Sequence, residues 1–282
     1  MSDFKKIGII GLGLIGGSLA FEIKKRKIAD KVIGFSSKIK TMEKALREGI
    51  IDEFYDCPEK LIENTDFLIL STPISALYNY IKIIKVTNPK IFFTDVASVK
   101  KVICENVEKI IGENSNFVGS HPIAGSEKSG IENIKDGLFE NKIVIITPTK
   151  NTNKNVKKKV KLLWEKLGSK VYIMDPEQHD KILGFTSHLP HLLIYTLLSV
   201  GEKNKEILKK FFGSGFFDTT RIGKSNPEMW TDIFLENKIN ILDWTKKFED
   251  EINKLKIILK RNEREKLYKF LKRAKIFRES LE

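Results

Sequence analysis

Histidine is scarce in this chain, four residues in 282, yet three of the four stand where a titrating side chain is useful. His121 lies in Gly119-Ser120-His121-Pro122-Ile123-Ala124-Gly125-Ser126-Glu127-Lys128-Ser129-Gly130, a Gly- and Ser-dense run that reads as a loop after a short strand. An imidazole there can exchange a proton near neutral pH. His188 and His191 lie in Ser187-His188-Leu189-Pro190-His191, where Pro190 suits the first turn of a helix and sets His191 near its N-terminus. The competing reading for both is a capping or core histidine, and His179 in Gln178-His179-Asp180 reads as structural. Arg221 can clamp a carboxylate with its two-pronged guanidinium, and Asp218, three residues earlier, can orient it. Trp230, after Asn226-Pro227, is a core, subunit-contact or pocket residue. No His pair has the spacing of a zinc motif and no Cys lies nearby, so no metal site is expected. Together these residues suit proton transfer on a small anion.

A second set of residues suits a dinucleotide. Gly11-Leu12-Gly13-Leu14-Ile15-Gly16 is a G-x-G-x-x-G that follows an apolar strand pattern and opens a helix. Gly11 permits the tight turn, Gly13 the close approach of backbone to pyrophosphate, and Gly16 close helix–strand packing. The helix start then offers unpaired N–H groups to phosphate. The acidic residue expected about 20 residues further on, which holds the ribose hydroxyls, is missing. Phe35 is followed by Ser36-Ser37-Lys38, a hydroxyl pair and a cation. That leaves NAD, slightly favoured, and NADP both open.

These groups need rigid elements behind them. Apolar, β-branched runs at 6–10, 31–35, 67–70, 91–94, 117–118, 143–147 and 171–174 alternate with helical patterns at 14–25, 41–48, 75–84 and 101–111. Alternation of this kind, with strands apolar throughout, predicts a parallel sheet covered by helices on both faces. Beyond Asp175-Pro176 only helical patterns remain, over 190–210, 226–247 and on to Arg278. The expected organisation is α/β. It comprises an N-terminal dinucleotide-binding domain over 1–175 and an all-α domain over 176–282.

Composition narrows the class. Hydrophobic residues make 41% and charged residues 31%, which excludes a disordered or fibrous chain. The formal net charge of +13 is spread over both halves, so a basic tail is excluded. A Lys/Arg concentration from Lys254 to Arg278 reads as a solvated helix face, with no nucleic-acid motif beside it. No apolar run approaches the ~20 residues of a membrane span, and the N-terminus lacks the order of a signal peptide. With two cysteines, no disulfide framework is expected. A cytoplasmic protein is expected.

Taken in order, GLGLIGGSLA at 11–20, STP at 71–73, DVASVK at 95–100, GSHPIAGSEKSG at 119–130, SHLPH at 187–191 and DTTRIGKSNPEMW at 218–230 resemble the prephenate dehydrogenase family, which includes arogenate and cyclohexadienyl dehydrogenases of tyrosine biosynthesis. The resemblance runs over nearly the whole chain. It implies a Rossmann domain followed by a helical dimerisation domain, a homodimer, and oxidative decarboxylation of prephenate to 4-hydroxyphenylpyruvate with hydride transfer to NAD(P)+. It also implies a monofunctional chain. By position, His121 takes the proton of the ring hydroxyl, and Ser98 helps hold that hydroxyl. Arg221 binds a substrate carboxylate, while His191 and Ser126 line the side-chain end. Asp218 tunes Arg221, and Trp230 closes the pocket. Ser71, Thr72 and Pro73 join Gly11–Gly16 and Ser36–Lys38 at the cofactor. Ser214, within the glycine-rich stretch before Asp218, departs from the family pattern. The same chemistry on arogenate, a related Rossmann reductase and a non-catalytic NAD(P)-sensing module are the alternatives.

Overall fold

The C-terminal halves of the first two strands, 7–10 and 32–35, and all of Phe67–Leu70 are apolar, and the computed structural model buries them. It describes residues 3–112, 115–126 and 128–281. The chain runs β1 (Phe4–Ile10), α1 (Leu14–Lys25), β2 (Ala29–Phe35), α2 (Ile39–Arg47), β3 (Glu53–Phe54), α3 (Pro58–Glu63), β4 (Phe67–Leu70), α4 (Ile74–Thr87), β5 (Phe92–Asp95) and α5 (Lys101–Ile111). The strands form one parallel sheet in the order β3-β2-β1-β4-β5. Ile9 pairs with Gly34 on one side and Ile69 on the other. Ile7, Ile9, Ile10, Leu68 and Ile69 are buried with helices on both faces, as the continuous apolar runs require. The strand order reverses between β1 and β4. In open sheets of this kind the crevice beyond the carboxyl ends of such strands is where ligands bind.

A second sheet departs from the expectation of one parallel sheet. β6 (Gly119–Pro122), β7 (Ile143–Thr147) and β8 (Lys170–Ile173) follow in the order β6-β7-β8, with α6 (Lys154–Lys166) between the last two. β6 runs antiparallel to β7, and β7 parallel to β8. Phe117 makes a single parallel bridge to Phe93, and the chain then leaves β5 to pair with β7. His121 therefore sits on a strand, opposite Ile145, and not in a loop. The Gly- and Ser-rich composition had suggested a loop. Backbone pairing overrode it, and Pro122 is tolerated because β6 is the end strand of its sheet.

The rest of the chain is helical: α7 (Pro176–Leu183), a π turn (Gly184–His188), α8 (Leu189–Glu202), α9 (Lys205–Leu208), α10 (Ser214–Thr220), a 3-10 turn (Arg221–Lys224), α11 (Pro227–Glu236), α12 (Lys238–Lys260) and α13 (Arg264–Glu279). No strand follows β8 among the described residues. Asp175 caps α7 by accepting from Gln178 N, Asn226 caps α11 by accepting from Glu228 N and Met229 N, and a proline stands in the first turn of each. The helix expected from Pro190 begins earlier. Residues 176–202 run on as one 27-residue helical stretch, long and apolar enough on average to match a membrane span, though it carries Asp180, His188 and His191.

Two compact units result, Met1–Asn237 and Lys238–Glu282. The change in texture near residue 175 is one of secondary structure and not a gap in packing. α7 packs on α5 and β7, and Asp232 of α11 accepts from Ser75 N at the start of α4, 2.9 Å away. In the second unit α12 and α13 are tied by Arg273–Glu251 at 3.2 Å.

Candidate active site

The turn after β1 has the shape a dinucleotide needs. Gly11 adopts φ +100°, and a Cβ there would lie 2.2 Å from Ser71 O, so only glycine fits. Its N–H donates to Phe35 O at 2.8 Å, which ties the turn to β2. A Cβ on Gly16 would lie 1.9 Å from Gly11 O, so α1 rests directly on the turn. A Cβ on Gly13 would meet nothing within 4 Å. The backbone is bare there toward open space. α1 starts with no side-chain cap and no acidic residue in its first turn, leaving its first N–H groups for an anion. Leu12 and Leu14 are buried beneath, with Ile15 half-buried. Thr72 Oγ1 is a buried polar atom with no partner, beside the same turn: its Cγ2 is 3.1 Å from the Cβ that Gly11 lacks. Ser71 touches Gly16, and Pro73 stands at the N-cap of α4. Beyond β2, Ser36 is half-buried, and Ser37 and Lys38 are exposed with no carboxylate among the three. These residues fit a nicotinamide dinucleotide.

The segment after the histidine strand packs on the helix that the turn opens. Gly125 lies over Ile15: a Cβ on it would be 3.7 Å from Ile15 Cδ1. Further on, Lys135 N donates to Ser18 Oγ at 3.0 Å and Leu138 N to Glu22 at 3.1 Å, so this segment runs along α1. Ser126 is half-buried and accepts from Lys128 N at 3.3 Å. Ser98 is half-buried between β5 and α5.

Behind His121 lies a buried polar chain. His121 Nδ1 is 2.9 Å from His179 Nε2, and His179 Nδ1 is 2.7 Å from Asp180 Oδ1. Asp180 also accepts from Lys100 N at 2.8 Å and Lys101 N at 3.0 Å, so it caps α5 from another helix. The Lys100 ammonium, fully buried, bonds Asp95 and donates to Ser120 O at 2.9 Å. Asp95 itself accepts from Ala97 N at 3.0 Å, which shapes the turn leading to Ser98. Burial pushes the Asp95 carboxyl up, against the pull of Lys100. Burial also holds His121 well below the ordinary imidazole range, helped by His179, Lys100 and His188. The ring is therefore neutral near pH 7, and its Nε2 has no partner among the described residues.

The π turn sets the second pair of histidines. Pro190 has no N–H and its ring crowds the carbonyl four residues back, so a regular helix cannot pass. The wider turn takes up the difference, and His191 Nδ1 donates to Ser187 O at 2.9 Å. His191 stacks on Trp230 with centroids 3.5 Å apart and 22° between planes. His188 meets the same indole edge-on at 6.0 Å. Its Nδ1 is 2.9 Å from Asn237 Nδ2, which also donates to Asp180 O at 2.8 Å. Burial pushes His188 down to about 4. His191 is lowered by burial too, and the nearby Arg221 charge adds to it. Electrostatic contact thus runs from Arg221 to His191, to His188 and to His121. Arg221 and Asp218 are both exposed. Two surface hollows, one lined by Lys5, Lys6, Asp30, Lys31 and Asp52 and one along α13, include none of these residues.

Comparison with known proteins identifies the family. The family model for the prephenate dehydrogenase nucleotide-binding domain matches residues 19–173, and that for its dimerization domain matches 175–273. The chain belongs to the prephenate dehydrogenase family. It is an oxidoreductase with the family's nucleotide-binding domain and helical dimerisation-type domain. It is 33% identical to the prephenate dehydrogenase of Bacillus subtilis, over 97% of this chain and 75% of that one. Among solved structures, the prephenate dehydrogenase from A. aeolicus in complex with hydroxyphenyl propionate and NAD+ is 38% identical with TM-score 0.93, covering 99% of each chain. Synechocystis arogenate dehydrogenase is 29% identical with TM-score 0.83, covering 98% of this chain and all of that one.

Sequence reasoning singles out the glycine turn, His121, His191, Arg221 and Trp230. It does not single out Lys100, Asp95, Asp180 and Asn237 as a network, and reads His179 as structural. The only trace of that network was a lysine and an aspartate bracketing Ser98, and an aspartate following His179, with nothing to say that they meet.

Proposed function

We propose that this chain oxidises prephenate to 4-hydroxyphenylpyruvate and carbon dioxide, with NAD(P)+ as hydride acceptor. Residues 1–175 carry the dinucleotide, and 176–282 complete the substrate site and form a homodimer in the cytoplasm, with neither nucleic acid nor membrane as partner. One observation carries the reading. His121 is neutral, its Nδ1 is engaged by His179, and its Nε2 is left as a lone pair on the strand whose following segment, at Gly125, lies against Ile15 of α1. Bound nicotinamide supplies the hydride acceptor. His121 Nε2 takes the proton of the ring hydroxyl, and Ser98 holds that hydroxyl in line. As the carbon–oxygen double bond forms, the ring becomes an electron sink; the ring carboxylate leaves as carbon dioxide, its bonding pair aromatises the ring to a phenolate, and the phenolate takes a proton to give the phenol. Arg221 holds a carboxylate of the dianion, and Asp218 orients the guanidinium. His191 and Ser126 line the side-chain end, and Trp230 braces His191 by stacking.

A second reading, the same oxidation on arogenate, rests on the likeness to the Synechocystis enzyme. The test is a steady-state matrix of prephenate and arogenate against NAD+ and NADP+, followed as reduced-nicotinamide absorbance. Turnover of prephenate with stoichiometric carbon dioxide is expected. No turnover of either substrate with either cofactor would end the proposal.

A further inference from the structure

Four buried groups behind the site, Asp180, His179, Asn237 and His188, are not accounted for by contact with substrate or cofactor. Asp180 is joined to all of the others. Its carboxylate bonds His179 Nδ1 at 2.7 Å, and its own carbonyl accepts from Asn237 Nδ2 at 2.8 Å.

The proton positions follow from what each atom can do. An aspartate carboxylate only accepts, so His179 Nδ1 carries the hydrogen. In a neutral ring His179 Nε2 then accepts, so His121 Nδ1 donates across the 2.9 Å contact. His121 Nε2 is left bare. On the other arm, a backbone carbonyl also only accepts, which fixes Asn237 with its NH2 toward Asp180 O. The second hydrogen of that NH2 faces His188 Nδ1 at 2.9 Å, so Nδ1 accepts and the proton of His188 is on Nε2. Both arms start from one residue and end in opposite tautomers.

The carboxylate is itself well anchored. It takes the N–H groups of Lys100 and Lys101, two of the orphan donors at the start of α5. The positive end of that helix favours its ionised form. Lys100 reaches on to Ser120 O, next to His121, so the same anchor sets the height of the strand against α7. The charged and titratable groups facing His121 are Lys100 at the N-cap of α5, with Asp95 of β5 behind it, His179 and Asp180 of α7, and His188 of the π turn. Those facing His188 are Asp180, His179 and His191.

We infer that Asp180 is a positioning residue that sets both tautomers, leaving Nε2 of His121 as a proton acceptor and Nε2 of His188 as an N–H donor. The inference deepens the reading of His121 as the base and depends on it for its catalytic consequence.

The experiment is long-range 15N–1H correlation of histidine-labelled, cofactor-free enzyme near pH 7.5, alongside kinetics. In the wild type, His121 and His179 should each show a single Nδ1–H tautomer, and His188 a single Nε2–H tautomer. Asp180→Asn sets an amide NH2 against the donors that the carboxylate satisfied. It should scramble the tautomers of His179 and His121 while leaving that of His188, which is held through the backbone carbonyl, and lower kcat by about 10²-fold or more, by analogy with loss of an orienting carboxylate in a catalytic triad. Cofactor affinity should stay within about threefold. Should Asp180→Asn fail to fold, two other variants separate the arms. Asn237→Ala should free the tautomer of His188 alone, and His179→Phe that of His121 alone. Wild-type tautomers in folded Asp180→Asn, wild-type kcat in that variant, or arms that do not separate would each overturn the inference. Wild-type enzyme with these tautomers but no turnover of prephenate or arogenate would instead overturn the functional reading and leave the tautomers standing.

Discussion

Gly13 and Gly16 belong to the same six-residue motif, and replacing each by alanine should have opposite consequences. Gly13 has φ −80° and ψ −159°, a conformation open to any residue, and a Cβ there meets nothing within 4 Å. Alanine in place of glycine at an N-cap loses about 0.5–1 kcal/mol, and the reduced entropy of the unfolded chain returns about 0.4–1 kcal/mol. Cofactor-free Gly13→Ala should therefore melt within a few degrees of wild type. The methyl group fills the space through which phosphate reaches the backbone, so dinucleotide affinity should fall by about tenfold or more, roughly 1.4 kcal/mol. Gly16→Ala forces a Cβ to 1.9 Å from Gly11 O and 3.0 Å from the Ser71 side chain. Helix α1 must lift off the turn. Overpacking of this kind costs about 1–3 kcal/mol, which at this size lowers Tm by about 2–10 °C even without cofactor. Thermal melts of the cofactor-free proteins and calorimetric titration with NAD+ and NADP+ measure both effects. A Gly13→Ala protein that binds dinucleotide like wild type, or one that melts as low as Gly16→Ala, would refute the assignment of this turn to the phosphates.

His121→Asn should lower kcat by about 10²-fold or more while dinucleotide affinity stays near wild type; rapid single-turnover kinetics separate the two, and wild-type turnover would remove His121 from the chemistry. Arg221→Ala should raise KM for the anionic substrate about tenfold to a hundredfold, the worth of a charged hydrogen bond, with a smaller change in kcat; an unchanged KM would place the guanidinium outside the substrate site. Stability should fall as pH drops below about 6.5, because His121, His179, His188 and His191 are all lowered in the fold and the unfolded chain takes up their protons first. His188 alone, at about 4, accounts for roughly 2 kcal/mol between pH 6.5 and 5; denaturant titrations that show no loss over that range would contradict the burial of these rings in solution.

Periodicity and glycine spacing made the first sheet readable almost to the residue. Leu14–Lys25 and Lys101–Ile111 fall where their patterns place them. The errors lie where long-range pairing decides. β3 is two residues long and carries no pattern of its own. It exists because Ile33 and Gly34 of β2 offer it an edge. The run around His121 has loop composition but pairs with β7, a partner more than twenty residues away. In the same way, single residues with strong chemistry could be picked out of the sequence, while the groups that govern them could not. Lys100, Asp180 and Asn237 act largely through backbone atoms and through contacts spanning as many as 80 positions, which no local pattern encodes.

The state of His121 bears on how proton transfer is timed. Buried and flanked by Lys100, the free ring is a weak base. That would be a poor design if the site kept the same charge throughout. A dianionic substrate changes it. Two negative charges close to the imidazole oppose the burial and the lysine, and Asp180 stands behind His179 to steady the cation that forms. Basicity then rises when the anion arrives and falls when a carboxylate is lost as carbon dioxide, which favours return of the proton to the phenolate oxygen that decarboxylation leaves. On the proposed roles, the same charges that Arg221 holds switch on the acceptor at His121. On this argument a neutral ester of the substrate, even if it occupied the site, should leave His121 unprotonated and be oxidised far more slowly than the dianion at equal occupancy. Equal rates for ester and dianion would show that the histidine needs no help from substrate charge.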